Sequence, residues 1–271
     1  MVWVNGELSN SISLSDRSFQ YGDGTFTTAL VRNAKVVRWN EHRARLIEAA
    51  GRLSITPPDW SQVEIWLQHA IASVQPEDLF GIKILISRGS GGRGYSPCGC
   101  HEPVVVISYF SYPTHYADWH SGGVELGICQ RQLGLVPMLA GIKHNNRLEQ
   151  VLLKTEMDEK GFVDGLVKDM EGYVCETTMA NLIWRRDDVL FSPRIDRAGV
   201  DGITYQIALN HAKTLGFKTV NGRFTIEDLL EADEVLMTNA VLGIAPVRKI
   251  EHHTFSFTNL AEELRKSYMS C

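Results

Sequence analysis

The sequence predicts an α+β protein of two domains. Stretches with strand-like and helix-like periodicity follow one another without the strict strand-helix-strand order of a parallel sheet. The strand pattern breaks at Ser111-Tyr112-Pro113-Thr114, and 271 residues are enough for two moderate domains. We therefore expect an N-terminal domain at residues 1–113, a linker at 114–121 and a C-terminal domain at 122–271.

Apolar and β-branched runs predict the strands of the first domain: Thr25 to Arg32, Lys35 to Arg38, Gly81 to Ser87 and Val104 to Phe110. The first two runs flank Asn33-Ala34 and predict a hairpin. Apolar residues at helical spacing predict one helix after an N-cap at Asn40 and a second helix from Ser61.

The second domain shows shorter elements of both kinds. Strands are predicted at Val124 to Cys129, around Leu166, Val174 and Leu182, and at Glu234 to Thr238. Helical spacing predicts three helices. One follows Lys143, one runs from Ile203 and ends at Gly216, a residue type common just after helices, and the last lies near Leu260.

Composition excludes several classes of function. The net charge of -5 and the absence of Lys or Arg runs make nucleic acid an unexpected partner. No apolar run of about 18 residues indicates a membrane span, and the first residues lack the pattern of a signal peptide. Together with an odd number of cysteines, five, this predicts a cytoplasmic protein. The cluster Cys98-Gly99-Cys100-His101 is too crowded to complete a metal site, so no metal is expected.

One lysine stands in a setting suited to chemistry. Apolar residues precede Lys143, and a polar helix start follows it. A lysine partly withdrawn from water has a lowered pKa, as a Schiff-base nucleophile requires. On this context alone a solvated surface lysine is the commoner explanation. The segment Gly172 to Trp184 adds a glutamate, Glu176, at an offset of 33 residues (176 minus 143), and an asparagine, Asn181, that leads into an apolar strand.

These segments together resemble the signature of the fold-type IV pyridoxal-phosphate enzymes, which include branched-chain and D-amino-acid aminotransferases. Four more segments extend the resemblance over nearly the whole chain: Asp16 to Gly24, Glu41 to Leu46, Gly202-Ile203-Thr204 and Thr238-Asn239-Ala240. The resemblance implies a smaller N-terminal α/β domain and a larger C-terminal domain with a barrel-like sheet and flanking helices. It also implies pyridoxal 5'-phosphate as cofactor and a homodimer whose sites are completed by the partner.

The resemblance implies a role for each matching residue. Lys143 would hold the cofactor as a Schiff base and act as acid and base, and Glu176 would keep the pyridine nitrogen protonated. Arg45 would supply a forked cation for the phosphate, although alone it could be one more charge on an amphipathic helix. The remaining cofactor-binding candidates are Asn181, Ile203, Thr204, Asn239 and Ala240.

Candidates for the substrate lie near the start of the chain and in a glycine-rich segment. Thr28 could direct its hydroxyl into the site, and Arg93 and Tyr95 could bind substrate carboxylates. The glycines from Gly89 to Gly94 indicate either a backbone that turns tightly against something or a flexible solvent loop. Some relatives place a tyrosine against the phenolic oxygen of the cofactor where this chain has Arg147-Leu148, so that oxygen has no assigned partner.

Two blocks bear on the reaction. Ile86 to Ser96 and Gly141 to His144 resemble lyases of the family from enteric and marine bacteria. They imply conversion of 4-amino-4-deoxychorismate to 4-aminobenzoate and pyruvate for folate biosynthesis. An aminotransferase acting on D-amino or branched-chain amino acids is the alternative, since it would use the same lysine and glutamate. A noncatalytic cofactor carrier is a third possibility, but mere binding does not need a protonated pyridine.

Overall fold

The computed structural model describes residues 1–74 and 79–270. These residues separate into two compact units. The first comprises Met1–Tyr112 together with Lys143–Asn146, and the second comprises Pro113–Ile142 and the chain from Arg147 onward. Cys271, the end of the predicted second domain, lies outside the described residues. No helix in the described part of the chain has the length and apolar character needed to cross a membrane.

The first unit contains one antiparallel sheet and two main helices. Its elements are β1 (Val2–Val4), β2 (Glu7–Leu8), α1 (Arg17–Tyr21), β3 (Gly24–Arg32), β4 (Lys35–Val36), α2 (Trp39–Arg52), α3 (Trp60–Ser73), β5 (Leu79–Ser87) and β6 (Val104–Ser111). The strands pair in the order β2-β1-β6-β5-β3-β4. One face of β3 and β5 packs on α2 and α3 and forms a core that includes Ala29, Val31, Leu46, Leu67 and Ile84. Burial of this apolar surface is the main force that holds α2 against β3.

The predicted hairpin is confirmed, and its turn has a clear cause. Asn33 and Ala34 both adopt positive φ, at 50° and 58°. Two such residues form the tight turn whose twist matches that of the strands it joins. The predicted N-cap at Asn40 is wrong, because α2 begins at Trp39 and its N-cap residue is Arg38. Arg38 adopts a left-handed conformation with φ 58°, and its side chain makes no capping hydrogen bond. The hairpin therefore passes into the helix without a separate loop.

The second unit is built on a mixed sheet of nine strands with flanking helices. Its elements are α4 (Tyr116–Gly122), β7 (Val124–Ile128), α5 (Leu148–Lys160), β8 (Asp164–Lys168), β9 (Val174–Thr177), β10 (Asn181–Arg186), β11 (Val189–Pro193), α6 (Ile203–Thr214), β12 (Lys218–Gly222), α7 (Ile226–Leu230), β13 (Glu234–Asn239), β14 (Gly243–Ile250), β15 (His253–Thr254) and α8 (Leu260–Met269). Eight strands follow the order β12-β11-β10-β13-β14-β7-β8-β9, and β15 pairs with β14. This curled sheet confirms the barrel-like sheet expected for the second domain.

The order of elements confirms the α+β class and differs from the sequence prediction in detail. Helix α6 ends as predicted, with Gly216 at φ 92° directly after its C-cap. Segment 114–121, expected to be a linker, contains most of α4, where Tyr116 is buried. The predicted domain limits themselves stay a prediction.

Candidate active site

Lys143 is held against the first strand of the hairpin. Its carbonyl accepts the backbone N–H of Phe26 at 2.9 Å and the hydroxyl of Thr25 at 3.0 Å. Two residues on, the N–H of Asn145 donates to the carbonyl of Gly24 at 2.9 Å. The segment Lys143–Asn146 is thereby fixed along β3, and the Lys143 Nζ lies 4.8 Å from the centre of the Phe26 ring. The backbone of the predicted nucleophile is anchored while its amine stays partly accessible.

A second lysine lies beside the same ring. Lys83 is the register partner of Thr28 in the pairing of β3 with β5, and its Nζ lies 4.4 Å from the centre of the Phe26 ring. Burial lowers the pKa of Lys83 from its ordinary value. Phe26 and Thr28 are two residues apart in β3 and so share one face of the sheet with Lys83. Sequence reasoning missed Lys83, although a single lysine within the apolar run of β5 was a usable signal.

Arg45 reaches β3 from helix α2. Its guanidinium donates to the hydroxyl of Thr27, which is fully buried and also lies 2.6 Å from the Nδ1 of His42. Burial, and then the positive charges of Arg45 and Lys143, hold the pKa of His42 well below its ordinary value of 6.5. His42 is therefore a neutral imidazole in the first unit, next to the arginine expected to bind phosphate.

Glu176 and Asn181 both form hydrogen bonds with the backbone of one residue of the second unit, Val200. The Glu176 Oε2 accepts the N–H of Val200 at 2.9 Å, and the Asn181 Nδ2 donates to the carbonyl of the same residue at 2.8 Å. Both side chains are nearly fully buried. They fix the turn that leads into α6 through Gly202. Asn181 thus has a structural role in placing that turn, and its contact with a cofactor stays a prediction.

The charge of Glu176 also acts on Arg147. Burial lowers the pKa of Arg147, while the charges of Glu176 and Glu149 oppose that change. The Arg147 Nε is buried without a hydrogen-bond partner. A partly desolvated cation therefore stands in the second unit at the position where the sequence departs from the tyrosine of some relatives.

The N-terminus of α6 has the features of a phosphate site. Gly202 is its N-cap and supplies no side-chain hydrogen bond, and the first turn contains no acidic residue. The N–H groups of Ile203 and Thr204 have no acceptor within the helix because they lie in its first turn. The hydroxyl groups of Thr204 and Thr238 are buried and lack a hydrogen-bond partner. Buried polar groups normally find partners, so these orphaned donors fit the phosphate of pyridoxal phosphate.

Asn239 and Ala240 follow Thr238 at the end of β13. The Asn239 Oδ1 accepts the N–H groups of Val241 at 3.0 Å and Leu242 at 2.8 Å, so this side chain shapes its own turn. The carbonyl of Ala240 accepts the hydroxyl of Tyr268 at 2.8 Å. The sequence indicated Asn239 and Ala240 as cofactor-binding candidates but did not single out the hydroxyl of Thr238.

The glycine-rich segment wraps around an arginine. The guanidinium of Arg17, itself buried, donates to the carbonyl groups of Gly94 at 3.0 Å and Tyr95 at 3.2 Å, with longer bonds to two more carbonyls of the loop. At Gly92, with φ 73°, a side chain would overlap the carbonyl of Ser96. At Gly89 an added β-carbon would likewise overlap the carbonyl of Glu102. Gly89 and Gly92 are therefore explained by close approach of backbone to backbone, the first of the two interpretations of this segment.

The candidates for substrate binding in this segment point to solvent within their unit. Arg93 is exposed, and Tyr95 is 88% exposed with its ring edge on Tyr21. Neighbouring Arg88 is buried and donates to Asp23 at 2.7 Å and to the carbonyl groups of Leu53 and Ser54. Arg88 therefore caps the C-terminal end of α2.

No cluster of three or more His, Cys, Asp or Glu in the described ranges is arranged to hold a metal ion.

Known proteins resemble this chain over most of its length. Residues 24–250 match the model of amino-transferase class IV. The chain is 46% identical over 250 residues to the aminodeoxychorismate lyase of Vibrio harveyi, covering 92% of this chain and 91% of that one. It is 26% identical over 263 residues to the branched-chain-amino-acid aminotransferase of Escherichia coli, covering 92% and 84%.

A solved structure gives the same result for the fold. The 4-amino-4-deoxychorismate lyase of Pseudomonas aeruginosa superimposes with a TM-score of 0.91 at 33% identity, covering 98% of this chain and 97% of that one. The match of the family model spans the Lys143 segment, the Glu176 strand and the N-terminus of α6. The chain therefore belongs to the class IV aminotransferase family.

Proposed function

We propose that this chain is a pyridoxal-phosphate-dependent lyase that converts 4-amino-4-deoxychorismate to 4-aminobenzoate and pyruvate in folate biosynthesis. The observation that carries the proposal is the 46% identity with the Vibrio harveyi lyase over 92% of the chain, against 26% for the aminotransferase of Escherichia coli. The two lysines at Phe26 support it, because a dicarboxylate substrate needs a cation besides the nucleophile.

The side chains of Lys143 and Glu176 have the chemistry that their proposed roles require. Pyridoxal phosphate, when bound, supplies an electron sink for the substrate carbon next to the amine. The amine of Lys143 would hold the cofactor at rest and, once free, would remove the proton from C4 of the substrate. The carboxylate of Glu176 keeps the pyridine nitrogen protonated, and its contact with the N–H of Val200 fixes its orientation.

The remaining steps need a proton donor and cations. Thr28 is half-buried beside Lys83 and is the candidate to deliver a proton, directly or through water, to the departing enolpyruvyl group. Lys83 supplies charge for one of the two carboxylates. Arg93 and Tyr95, which are exposed within their own unit, are proposed to meet the other carboxylate in a site completed by the homodimer. Aromatisation of the ring drives the elimination, so the residues need only start it and release the products.

The phosphate of the cofactor is proposed to bind a positive charge and a set of hydrogen-bond donors. Arg45 supplies the positive charge, and the first turn of α6 supplies N–H groups from Ile203 and Thr204. The buried hydroxyl groups of Thr204 and Thr238 gain the partner that they lack.

An aminotransferase of D-amino or branched-chain amino acids is the second candidate. It is favoured by relatives at 24% to 26% identity that carry such names, including the D-alanine aminotransferase of Listeria monocytogenes. The same Lys143 and Glu176 would serve it. The two reactions differ in what becomes of the amino group, which stays on the aromatic product of the lyase and moves to a keto acid in the aminotransferase.

Product analysis separates these functions. Purified protein is incubated with 4-amino-4-deoxychorismate, and 4-aminobenzoate and pyruvate are followed with time. We expect equal, sustained release of both products without an added keto acid, and none from a Lys143→Ala variant. Single-turnover conversion of the cofactor to its amine form, with transfer to a keto acid, would overturn the lyase proposal in favour of the aminotransferase.

We also infer that the protein is a homodimer. Along α5 the apolar side chains of Leu148, Val151 and Leu152 are 70%, 56% and 45% exposed, and nearby in sequence Met138 is 79% exposed. The three helix residues recur at i, i+3 and i+4 and so form one stripe, a pattern typical of a buried contact surface. A cytoplasmic location stays a prediction from the sequence.

A further inference from the structure

A buried chain of three side chains links helix α2 to strand β3. His42 and Arg45 are three residues apart and so lie on one face of α2. Both contact the hydroxyl of Thr27, His42 through Nδ1 at 2.6 Å and Arg45 through a guanidinium nitrogen. His42 and Thr27 are completely buried. No role follows for this imidazole from the chemistry assigned to the site so far.

The protons of this chain can be placed from hydrogen-bonding capacity. A guanidinium only donates, so the Thr27 oxygen accepts from Arg45 and retains its own proton to donate. Within the described part of the chain, the acceptor in reach of that proton is the Nδ1 of His42. A proton on Nδ1 would leave two groups without a partner, the Thr27 hydroxyl proton and the Nε2. A proton on Nε2 leaves only one group without a partner, the Nε2–H itself. The neutral imidazole therefore carries its proton on Nε2.

This arrangement fixes a hydroxyl that could otherwise rotate. With its proton committed to His42, the Thr27 oxygen presents a lone pair to the guanidinium of Arg45. Without that acceptor, the hydroxyl proton has no partner and can turn toward the N–H groups of Arg45, which repel it. The orientation of Arg45 thus depends on a residue that is not itself expected to touch the cofactor.

We propose that His42 is a positioning residue that acts through Thr27 to aim Arg45 at the phosphate of the cofactor. The inference rests on the assignment of Arg45 to that phosphate, made under the proposed function. It predicts a specific loss of phosphate recognition when His42 is changed. A merely space-filling role for the imidazole predicts an equal loss for ligands with and without phosphate.

The test compares pyridoxamine 5'-phosphate with pyridoxamine. Neither ligand has an aldehyde, so neither can bond covalently to Lys143. The contribution of the phosphate is measured by the ratio of the dissociation constant of pyridoxamine to that of pyridoxamine 5'-phosphate. We expect His42→Leu to reduce this ratio about tenfold, the size associated with one hydrogen bond to a charged group. Thr27→Val should reduce it equally, and the double variant should lose no more than either single variant.

Conservative variants and a spectrum complete the test. His42→Asn places an amide oxygen near the position of Nδ1 and should retain most of the preference for phosphate, as should Thr27→Ser. Nitrogen-15 spectra of the labelled wild-type protein should show the His42 proton on Nε2 and an unprotonated Nδ1. These spectra test the arrangement even where a variant fails to fold.

Several results would overturn the inference. A folded His42→Leu protein with an unchanged ratio, equal weakening of both ligands, or a proton on Nδ1 each contradicts it. An Arg45→Gln variant separates its failure from that of the underlying assignment. If Arg45→Gln leaves the ratio unchanged, the phosphate assignment of Arg45 is wrong and the role of His42 falls with it; if only Arg45→Gln lowers the ratio, the role of His42 alone is wrong.

Discussion

Two lysines share the ring of Phe26, yet their surroundings assign them different roles. The backbone of Lys143 is anchored to β3 by two hydrogen bonds to its carbonyl, so its side chain extends from a fixed point. Lys83 lies inside a strand, where burial lowers its pKa and makes an anion a favourable neighbour. One amine suits covalent chemistry, and the other suits the binding of a carboxylate.

Replacement of Lys83 should therefore affect the substrate more than the cofactor. We expect Lys83→Met to raise KM for 4-amino-4-deoxychorismate about tenfold to a hundredfold, the range for loss of one charge-assisted hydrogen bond. Lys83→Arg should recover part of the loss because it restores the charge. Steady-state kinetics and the cofactor content of each purified variant check this. An unchanged KM for Lys83→Met would remove Lys83 from the substrate site.

The buried imidazole of His42 also predicts how stability depends on pH. Its folded-state pKa lies well below the ordinary value of 6.5, so below pH 6.5 the unfolded chain binds a proton that the folded chain excludes. Stability is then lost as pH falls through 6.5. Between pH 7.5 and 5.5 the loss that His42 contributes can reach about 1.4 kcal/mol, the value for an imidazole that stays neutral in the folded chain throughout this range.

Urea unfolding at both pH values, for the wild-type protein and for His42→Asn, measures this contribution. The pKa of His120 is also lowered, but that residue is present in both proteins, so its effect cancels in the comparison. The variant should show the smaller loss of stability on acidification. Equal losses in the two proteins would mean that His42 is protonated in the folded state.

The family resemblance, and not residue type alone, is the basis on which Lys143, Arg45 and Glu176 are proposed as cofactor-binding residues. Neither the resemblance nor the residue types singled out Lys83, although a lone lysine in an apolar run was a signal, and the pair Thr27 and His42 left no such signal. The importance of Lys83 follows from its register opposite Thr28, and that of Thr27 from its contacts across to α2. Such contacts depend on pairings that a sequence does not display.

At the scale of elements, α6 and the turn before it form the candidate phosphate site of the second unit. Glu176 and Asn181 hold Val200, and Gly202 then opens the helix. A β-carbon at Gly202 would overlap the Asn181 Oδ1. The glycine is required by this close approach and not by its backbone angles, since its φ is -75°.

Substitution at the two ends of α6 should therefore give different results. Gly202→Ala should weaken the affinity for pyridoxal phosphate by about tenfold or more, because the turn held by Asn181 must shift. Gly216→Ala is the matched control. Its φ of 92° is strained for alanine, which costs about 1 kcal/mol of stability, but nothing lies within 4 Å of the added carbon.

Cofactor titration and thermal unfolding of both variants check this prediction. Gly202→Ala should lose affinity, and Gly216→Ala should lose stability with its affinity intact. Equal cofactor affinities for the two variants would show that the turn before α6 does not shape the phosphate site.

Elements with strong periodicity were predictable, and those with breaking residues were not. The strand β14 went unpredicted because it begins at Gly243 and contains Pro246, residue types that normally interrupt strands. It is nevertheless central, between β13 and β7. The start of α2 was placed at Asn40 on residue type, but the hairpin leads Arg38 directly into the helix.

For the whole molecule, the α+β class followed from the mixture of patterns, but the strand order did not. In the second unit β10 pairs with β13 and β14 pairs with β7, which joins segments far apart along the chain. Such pairings are set by long-range burial and not by local sequence. Composition indicated only an ordinary globular protein, and the family resemblance alone implied the barrel-like sheet.

The exposed stripe on α5 gives a prediction about assembly. Light scattering during gel filtration should show a dimer for the wild-type protein, and Val151→Glu with Leu152→Glu should shift it to a monomer because charges would be buried in the interface. Val220→Glu, at an apolar residue 43% exposed on β12, is the control and should stay dimeric. A wild-type monomer would overturn the proposed homodimer.

The most direct test of the account locates the cofactor on the chain. Wild-type protein loaded with pyridoxal phosphate is reduced with borohydride, digested and analysed by mass spectrometry. We predict that the phosphopyridoxyl group lies on the peptide that contains Lys143, with loss of the absorbance band near the visible edge, and that a Lys143→Ala protein lacks both signals. A label on Lys83, or no label on a protein that stays colourless with added cofactor, would contradict the central claim.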